Sequence, residues 1–187
     1  MQSKQAADIL AGWPEPAREA GQLVVDTYGE PTMVTDAELS WTNVGTWKRI
    51  VAQRAYWAHD FPAPHTDSVE SFVDYQVPPD RYTDMARFDG SVMLERTTGE
   101  ASARCHDEQA NRLALNLMHD IVIGAKSVNE ARLYYAKEFL AGKGDGPTPY
   151  MDKLNFVPMT SPADPDERSL SDAQLEDAKK AGATKTA

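Results

Sequence analysis

The chain has 187 residues, 41% of them hydrophobic and 26% charged, which is a globular composition and excludes a wholly disordered chain. Lys plus Arg is 19 against 29 for Asp plus Glu, a formal net charge of −10. Such a surface repels phosphate backbones and anionic lipid heads, and its densest basic groupings are only the pairs Lys48-Arg49 and Lys179-Lys180, so neither nucleic acid nor membrane is an expected partner.

The single cysteine, Cys105, rules out an internal disulfide and a multi-thiolate zinc site. It suits a reducing compartment, and a cytoplasmic location is expected. No apolar run approaches the roughly 20 residues of a membrane span. The opening residues lack the apolar core of a signal peptide.

The first predicted element is a helix over residues 16–28. Pro16 fits its first turn, and Ala20, Leu23, Val24 and Tyr28 recur at helical spacing. Gly29 and Pro31 end it. Strands follow at 38–42 and 47–57, joined by the turn Asn43-Val44-Gly45-Thr46, with Trp41 and Trp47 positioned to meet across the hairpin. Residues 69–77 alternate. Val69, Val73, Tyr75 and Val77 share one face, and Glu70, Asp74 and Gln76 the other, with Phe72 breaking the polar side. One wet face favours an antiparallel sheet.

A short helix is predicted at 79–88, closed by Asp89-Gly90. Strands at 91–96 and 101–105 surround the turn Thr97-Thr98-Gly99-Glu100, with Glu95-Arg96 and Arg104 expected to form cross-strand ion pairs. The clearest element is a helix at 108–123, where Ala110, Leu113, Ala114, Leu117, Met118, Ile121 and Val122 form one unbroken stripe. Asp107 caps it. Ser127 and Glu130 make a capping box for a second helix at 128–141. The short link between these helices predicts an antiparallel pair. Residues 151–157 dock through Leu154 and Phe156. Residues 158–187 read as a flexible or weakly helical tail, with a short helix at 171–181.

The fold expected is therefore α+β: an antiparallel sheet of about four or five strands, helices packed mainly on one face, and a helical hairpin at 108–141. Residues 1–157 form one domain in this reading.

From about residue 20 to 157, several stretches resemble a family of small, uncharacterised bacterial proteins. They are Leu39-Ser40-Trp41, Gly45-Thr46-Trp47-Lys48-Arg49, His59-Asp60-Phe61-Pro62-Ala63-Pro64-His65-Thr66-Asp67, Asp89-Gly90-Ser91-Val92, Ala103-Arg104-Cys105 and Leu113-Ala114-Leu115-Asn116-Leu117. The resemblance implies one intact domain. It implies no activity, cofactor or catalytic residue.

Chemistry concentrates in the 59–67 loop. His59, Asp60, His65 and Asp67 offer imidazole and carboxylate, a donor set that suits zinc, manganese or iron. Pro62 and Pro64 favour an extended path, which would separate His59 from His65 by ~19 Å. One ion can then take both only if the loop turns back. His65 and Asp67, two apart, share a face. The competing reading is a proline-stiffened crossover whose His and Asp bond backbone groups.

His119-Asp120 superficially resembles one part of the HD phosphohydrolase site. That site also needs an upstream His and a downstream Asp on other helices of an all-helical fold. His119 lies opposite the apolar stripe, beside Arg112 and Asn116, so it faces solvent or a second surface. Cys105 sits beside His106 near a helix start, where a thiolate is favoured. The alternation Ala101, Ala103, Cys105 instead reads it as a small buried residue.

No catalytic constellation is complete. The expected function is a non-enzymatic binding or accessory protein for a small ligand or a partner protein, with a homo-oligomer allowed. The alternative is a divalent-metal-dependent enzyme built on the 59–67 loop.

Overall fold

The computed structural model describes residues 5–160 and 166–183. Its elements run α1 (Ala6–Leu10), α2 (Glu15–Tyr28), β1 (Met33–Val34), β2 (Glu38–Val44), β3 (Trp47–His59), β4 (His65–Asp74), a 3-10 turn (Pro79–Arg81), α3 (Tyr82–Phe88), β5 (Val92–Glu95), β6 (Glu100–Cys105), α4 (Glu108–Val122), α5 (Val128–Gly142), α6 (Pro149–Asp152) and α7 (Asp172–Ala183). Six strands form one antiparallel sheet in the order β1-β2-β3-β4-β6-β5. The α+β antiparallel architecture is as expected. The strand count is slightly higher, because Met33–Val34 adds a two-residue edge strand too short to show a period.

Register turns the alternation into layers. Leu39, Ala52, Val69 and Cys105 form one cross-strand row, and Trp41, Ile50, Ser71, Ala103 and Val92 form the next. All of them are buried. Helices α2 and α4 pack against this face. The intervening rows, such as Arg49, Phe72, Ser102 and Met93, lie on the opposite face. There the Arg49 guanidinium sits 3.6 Å over the Phe72 ring, so the residue that broke the polar alternation is covered by a cation.

Helix α2 approaches α1 closely at Gly21, where a Cβ would stand 2.7 Å from Leu10 Cδ2 and 3.6 Å from Ala52 Cβ on the sheet. Its buried face is Ala17, Ala20, Gly21 and Val24, and Leu23 turns to solvent at 45% exposure, against expectation. The β2–β3 turn needs Gly45: its φ is +56°, and a side chain there would meet the Tyr28 hydroxyl at 2.9 Å. Trp41 pairs with Ile50 and Trp47 with Val44, so the two tryptophans do not face each other.

Asp107 caps α4 by accepting the Ala110 N–H at 2.8 Å, a cap worth about 1 kcal/mol. The Ser127–Glu130 box opens α5 as the sequence indicates. Leu154 and Phe156 pack against the core. Glu95 accepts the Thr97 and Thr98 N–H groups rather than pairing with Arg104, which lies 3.8 Å from Glu70 instead. Arg96 pairs with Asp166. Met159 donates its N–H to the Asp74 carbonyl, so the body extends slightly past residue 157. Helix α7 is exposed along its described side chains. Among the described residues no helix is long and apolar enough to cross a membrane.

Candidate metal centre

Strand parity delivers the site. On β4, residues 65, 67, 69, 71 and 73 share a face, and Val69, Ser71 and Val73 are fully buried on it. Asp67 continues that face and is 4% exposed. Strand β3 ends at His59, which pairs with His65 across the ladder. Paired residues of an antiparallel ladder project to one side, and here the two rings lie 4.9 Å apart, centroid to centroid. The extended path expected for the prolines is not adopted. The 60–64 segment reverses, with a cis Phe61–Pro62 bond, and closes a hairpin.

Helices hold that reversal in place. The Phe61 ring packs 5.1 Å from Tyr135 on α5 and 6.4 Å from Phe88 at the end of α3. Arg132 of α5 lies 3.8 Å over the same ring and donates to the Phe88 carbonyl. Ordering the loop thus draws on buried aromatic surface as well as on the His65 contact to the Ala63 carbonyl.

His59, His65 and Asp67 each offer one ligand atom, all within 4.8 Å of one another. His59 Nδ1 is 3.1 Å from Asp67 Oδ2, and His65 Nε2 is 3.1 Å from Asp67 Oδ1. Asp60, exposed in the loop, is not part of this group. Neither are His106 and His119.

The proton count at His65 matters most. Its Nδ1 lies 2.8 Å from the Ala63 carbonyl, which only accepts, so Nδ1 carries the proton. In the neutral ring Nε2 then holds a lone pair, and that lone pair meets the Asp67 carboxylate, a second acceptor. Something positive has to satisfy both: another ring proton or a metal ion. The close side-chain contact with the Asp67 carboxylate raises the His65 pKa above its ordinary value, against the opposing effect of burial.

Alignment supplies a second clue. His59 Nδ1 and Asp67 Oδ1 are buried and form no hydrogen bond, although each has a partner atom 3.1 Å away. The atoms are close but not aimed at each other. Donor atoms around an ion behave this way. With bonds of about 2.0–2.2 Å they stand about 2.9–3.5 Å apart, their lone pairs converging on a common point.

Two groups beside the centre carry no sequence signal of a ligand site. Asp89, 2% exposed, follows α3, and its Oδ1 lies 3.7 Å from His59 Nε2. Its motif, Asp89-Gly90-Ser91, reads as a helix end. In the structure it is an Asx turn, with Asp89 Oδ1 accepting both the N–H and the hydroxyl of Ser91 at 2.8 Å. Burial pushes the Asp89 carboxyl above its ordinary pKa. Cys105 is a free, buried thiol between the Ser91 and Tyr135 hydroxyls, at 3.9 and 3.7 Å. Burial pushes that thiol well up, with the Asp89 and Asp67 charges adding, so it stays protonated.

The other sequence candidate comes apart. His119 Nδ1 lies 2.7 Å from the Tyr75 hydroxyl, and the ring stacks on Phe156 at 4.9 Å. Asp120 instead pairs with Lys126 at 2.6 Å and accepts the Tyr150 hydroxyl at 2.8 Å. Adjacent in sequence, the two serve separate packing contacts. Comparison with family models, curated proteins and solved structures finds no match to this chain, so the centre is read from its own geometry.

Proposed function

We propose that this chain is a divalent-metal-binding protein, with zinc, manganese or iron held by His59, His65 and Asp67. The observation that carries the reading is the convergence on one buried carboxylate: His59 Nδ1 and His65 Nε2 each stand 3.1 Å from an Asp67 oxygen, and the Ala63 carbonyl takes the other nitrogen of His65. Two imidazoles and one carboxylate are a common donor set for these ions. The backbone carbonyl behind His65 is the outer partner that metal-bound imidazoles use.

The role proposed is binding, as a soluble cytoplasmic protein; the free Cys105 fits a reducing compartment. A metal-assisted enzyme is the second reading. Its support is that the His59 and His65 side chains remain 19% and 17% exposed, so an ion there keeps a solvent-facing side for water or substrate.

Elemental analysis of protein purified without metal-affinity steps tests the proposal. About one zinc, manganese or iron per chain is expected, and none in His65→Ala. A metal-free parent that also gains no melting temperature with any of these ions would end the reading.

A further inference from the structure

We propose that Asp89 is the positioning carboxylate of this centre, holding the far nitrogen of His59 so that the ring presents Nδ1 to the ion. The inference rests on the metal-binding reading above and assigns a residue outside the three-residue ligand group.

The two histidines are built alike. Each has one ring nitrogen toward Asp67 and the other toward a fixed acceptor. For His65 that acceptor is the Ala63 carbonyl, 2.8 Å from Nδ1. For His59 it is Asp89 Oδ1, 3.7 Å from Nε2. An imidazole that ligates through one nitrogen carries a proton on the other, and an acceptor behind it fixes both tautomer and ring orientation. The assignment follows for each ring: His65 ligates through Nε2 and His59 through Nδ1.

Asp89 is itself fixed. Two hydrogen bonds from Ser91 clamp Oδ1, and α3 and β5 fix the backbone on either side. Its other oxygen, Oδ2, is buried and has no hydrogen-bond partner. A carboxylate this enclosed, with one oxygen unpartnered, is costly unless positive charge lies near. An ion behind the His59 ring supplies that charge. At 3.7 Å the Nε2 contact is longer than a formed hydrogen bond, so the role requires the ring to shift onto Asp89 when Nδ1 takes the metal.

Zinc affinity, measured by competition with a coloured chelator for the parent and Asp89→Asn, is the first arm. The variant is expected to bind about 10–100-fold more weakly and still reach one zinc per chain at saturation. The second arm is long-range 15N–1H NMR of the histidine rings in the zinc-loaded parent, with His59 expected to carry its proton on Nε2 and zinc on Nδ1. Should Asp89→Asn not fold, Ser91→Ala loosens the same carboxylate and is expected to weaken zinc in the same direction. A parent that binds zinc while these variants bind it equally well overturns the role of Asp89 alone. So does a His59 ring with zinc on Nε2. A parent that binds no zinc overturns the metal reading, and this role with it.

Discussion

Two histidine contacts in this molecule use the same ring for opposite ends. His119 is closed: its Nδ1 meets the Tyr75 hydroxyl at 2.7 Å, a group able to donate or accept, and Phe156 stacks on its face. The pair formed by His59 and His65 is open. Beyond the Ala63 carbonyl on His65 Nδ1, its polar neighbours are the carboxylates Asp67 and Asp89, and buried atoms on His59, Asp67 and Asp89 lack hydrogen bonds. A folded interior normally satisfies what it buries. The difference separates a histidine used for packing from histidines arranged around a positive charge.

The largest expected effect breaks that difference directly. At a pH above the raised His65 pKa the ring is neutral, and in Asp67→Asn an amide can donate to its Nε2 lone pair, which removes the conflict between two acceptors. In chelator the variant is expected to melt at or above the parent. With zinc at about 100 times its Kd the parent gains about 2.7 kcal/mol, or about 5–11 °C in a chain of this size, and the variant gains little. If the carboxylate were purely structural, Asp67→Asn would melt several degrees lower in chelator and zinc would leave the parent unmoved.

Next in size is Tyr75→Phe, which removes the hydroxyl partner of His119. Loss of one hydrogen bond of this kind costs about 1 kcal/mol, or about 2–4 °C here. The zinc response is expected to be unchanged, because Tyr75 and Asp67 have no partner in common among their contacts. A Tyr75→Phe protein with altered zinc affinity would show that the two regions are coupled.

Much of this fold is legible in the chain. The 69–77 alternation and most of the 110–122 stripe face the core as read, although α4 also buries Leu115 and Asn116 outside that stripe, and Asp107, Ser127 and Glu130 cap where expected. These signals are local, set by a period or a hydrogen bond three residues long. The site is half legible by the same standard. His65 and Asp67 share a face because strand residues two apart do. The pairing of His59 with His65 depends on loop 60–64 folding back under Phe61, which Tyr135, Phe88 and Arg132 hold from 27 or more positions away in the chain. Asp89 is illegible for the same reason: nothing near it in sequence marks His59, and its local pattern is that of a turn.

Protonation offers a subtler separation. Burial lowers the His119 pKa below its ordinary value of 6.5. The unfolded chain then binds more protons than the folded one in that window. The His119 contribution to stability is therefore full above about pH 6.5 and is lost as pH falls through the lower folded value. Melting in chelator between pH 8 and pH 5, for the parent and His119→Gln, checks it. The variant is expected to lose less stability on the acid side. Parallel curves would mean that His119 titrates the same in both states.

The smallest effect expected is from the tail, and it serves as the control for both contacts. Helix α7 is exposed along its described side chains, Leu175 at 40%, and Leu170 just before it is 53% exposed. Such a surface brings little apolar burial to set against the entropy of ordering it. One contact from this region to the body past Met159 is the Arg96–Asp166 pair, with side chains 37% and 56% exposed. Pairs of that kind contribute about 0–1 kcal/mol. A chain ending at Thr160 keeps the Met159 bond to the Asp74 carbonyl and loses that pair and α7. It is expected to melt within about 2 °C of the full chain, with the zinc response and the acid-side slope intact. A larger drop in melting temperature that grows with protein concentration in the full chain would instead place Leu170 and Leu175 in a contact between copies, since such a contact stabilises by mass action.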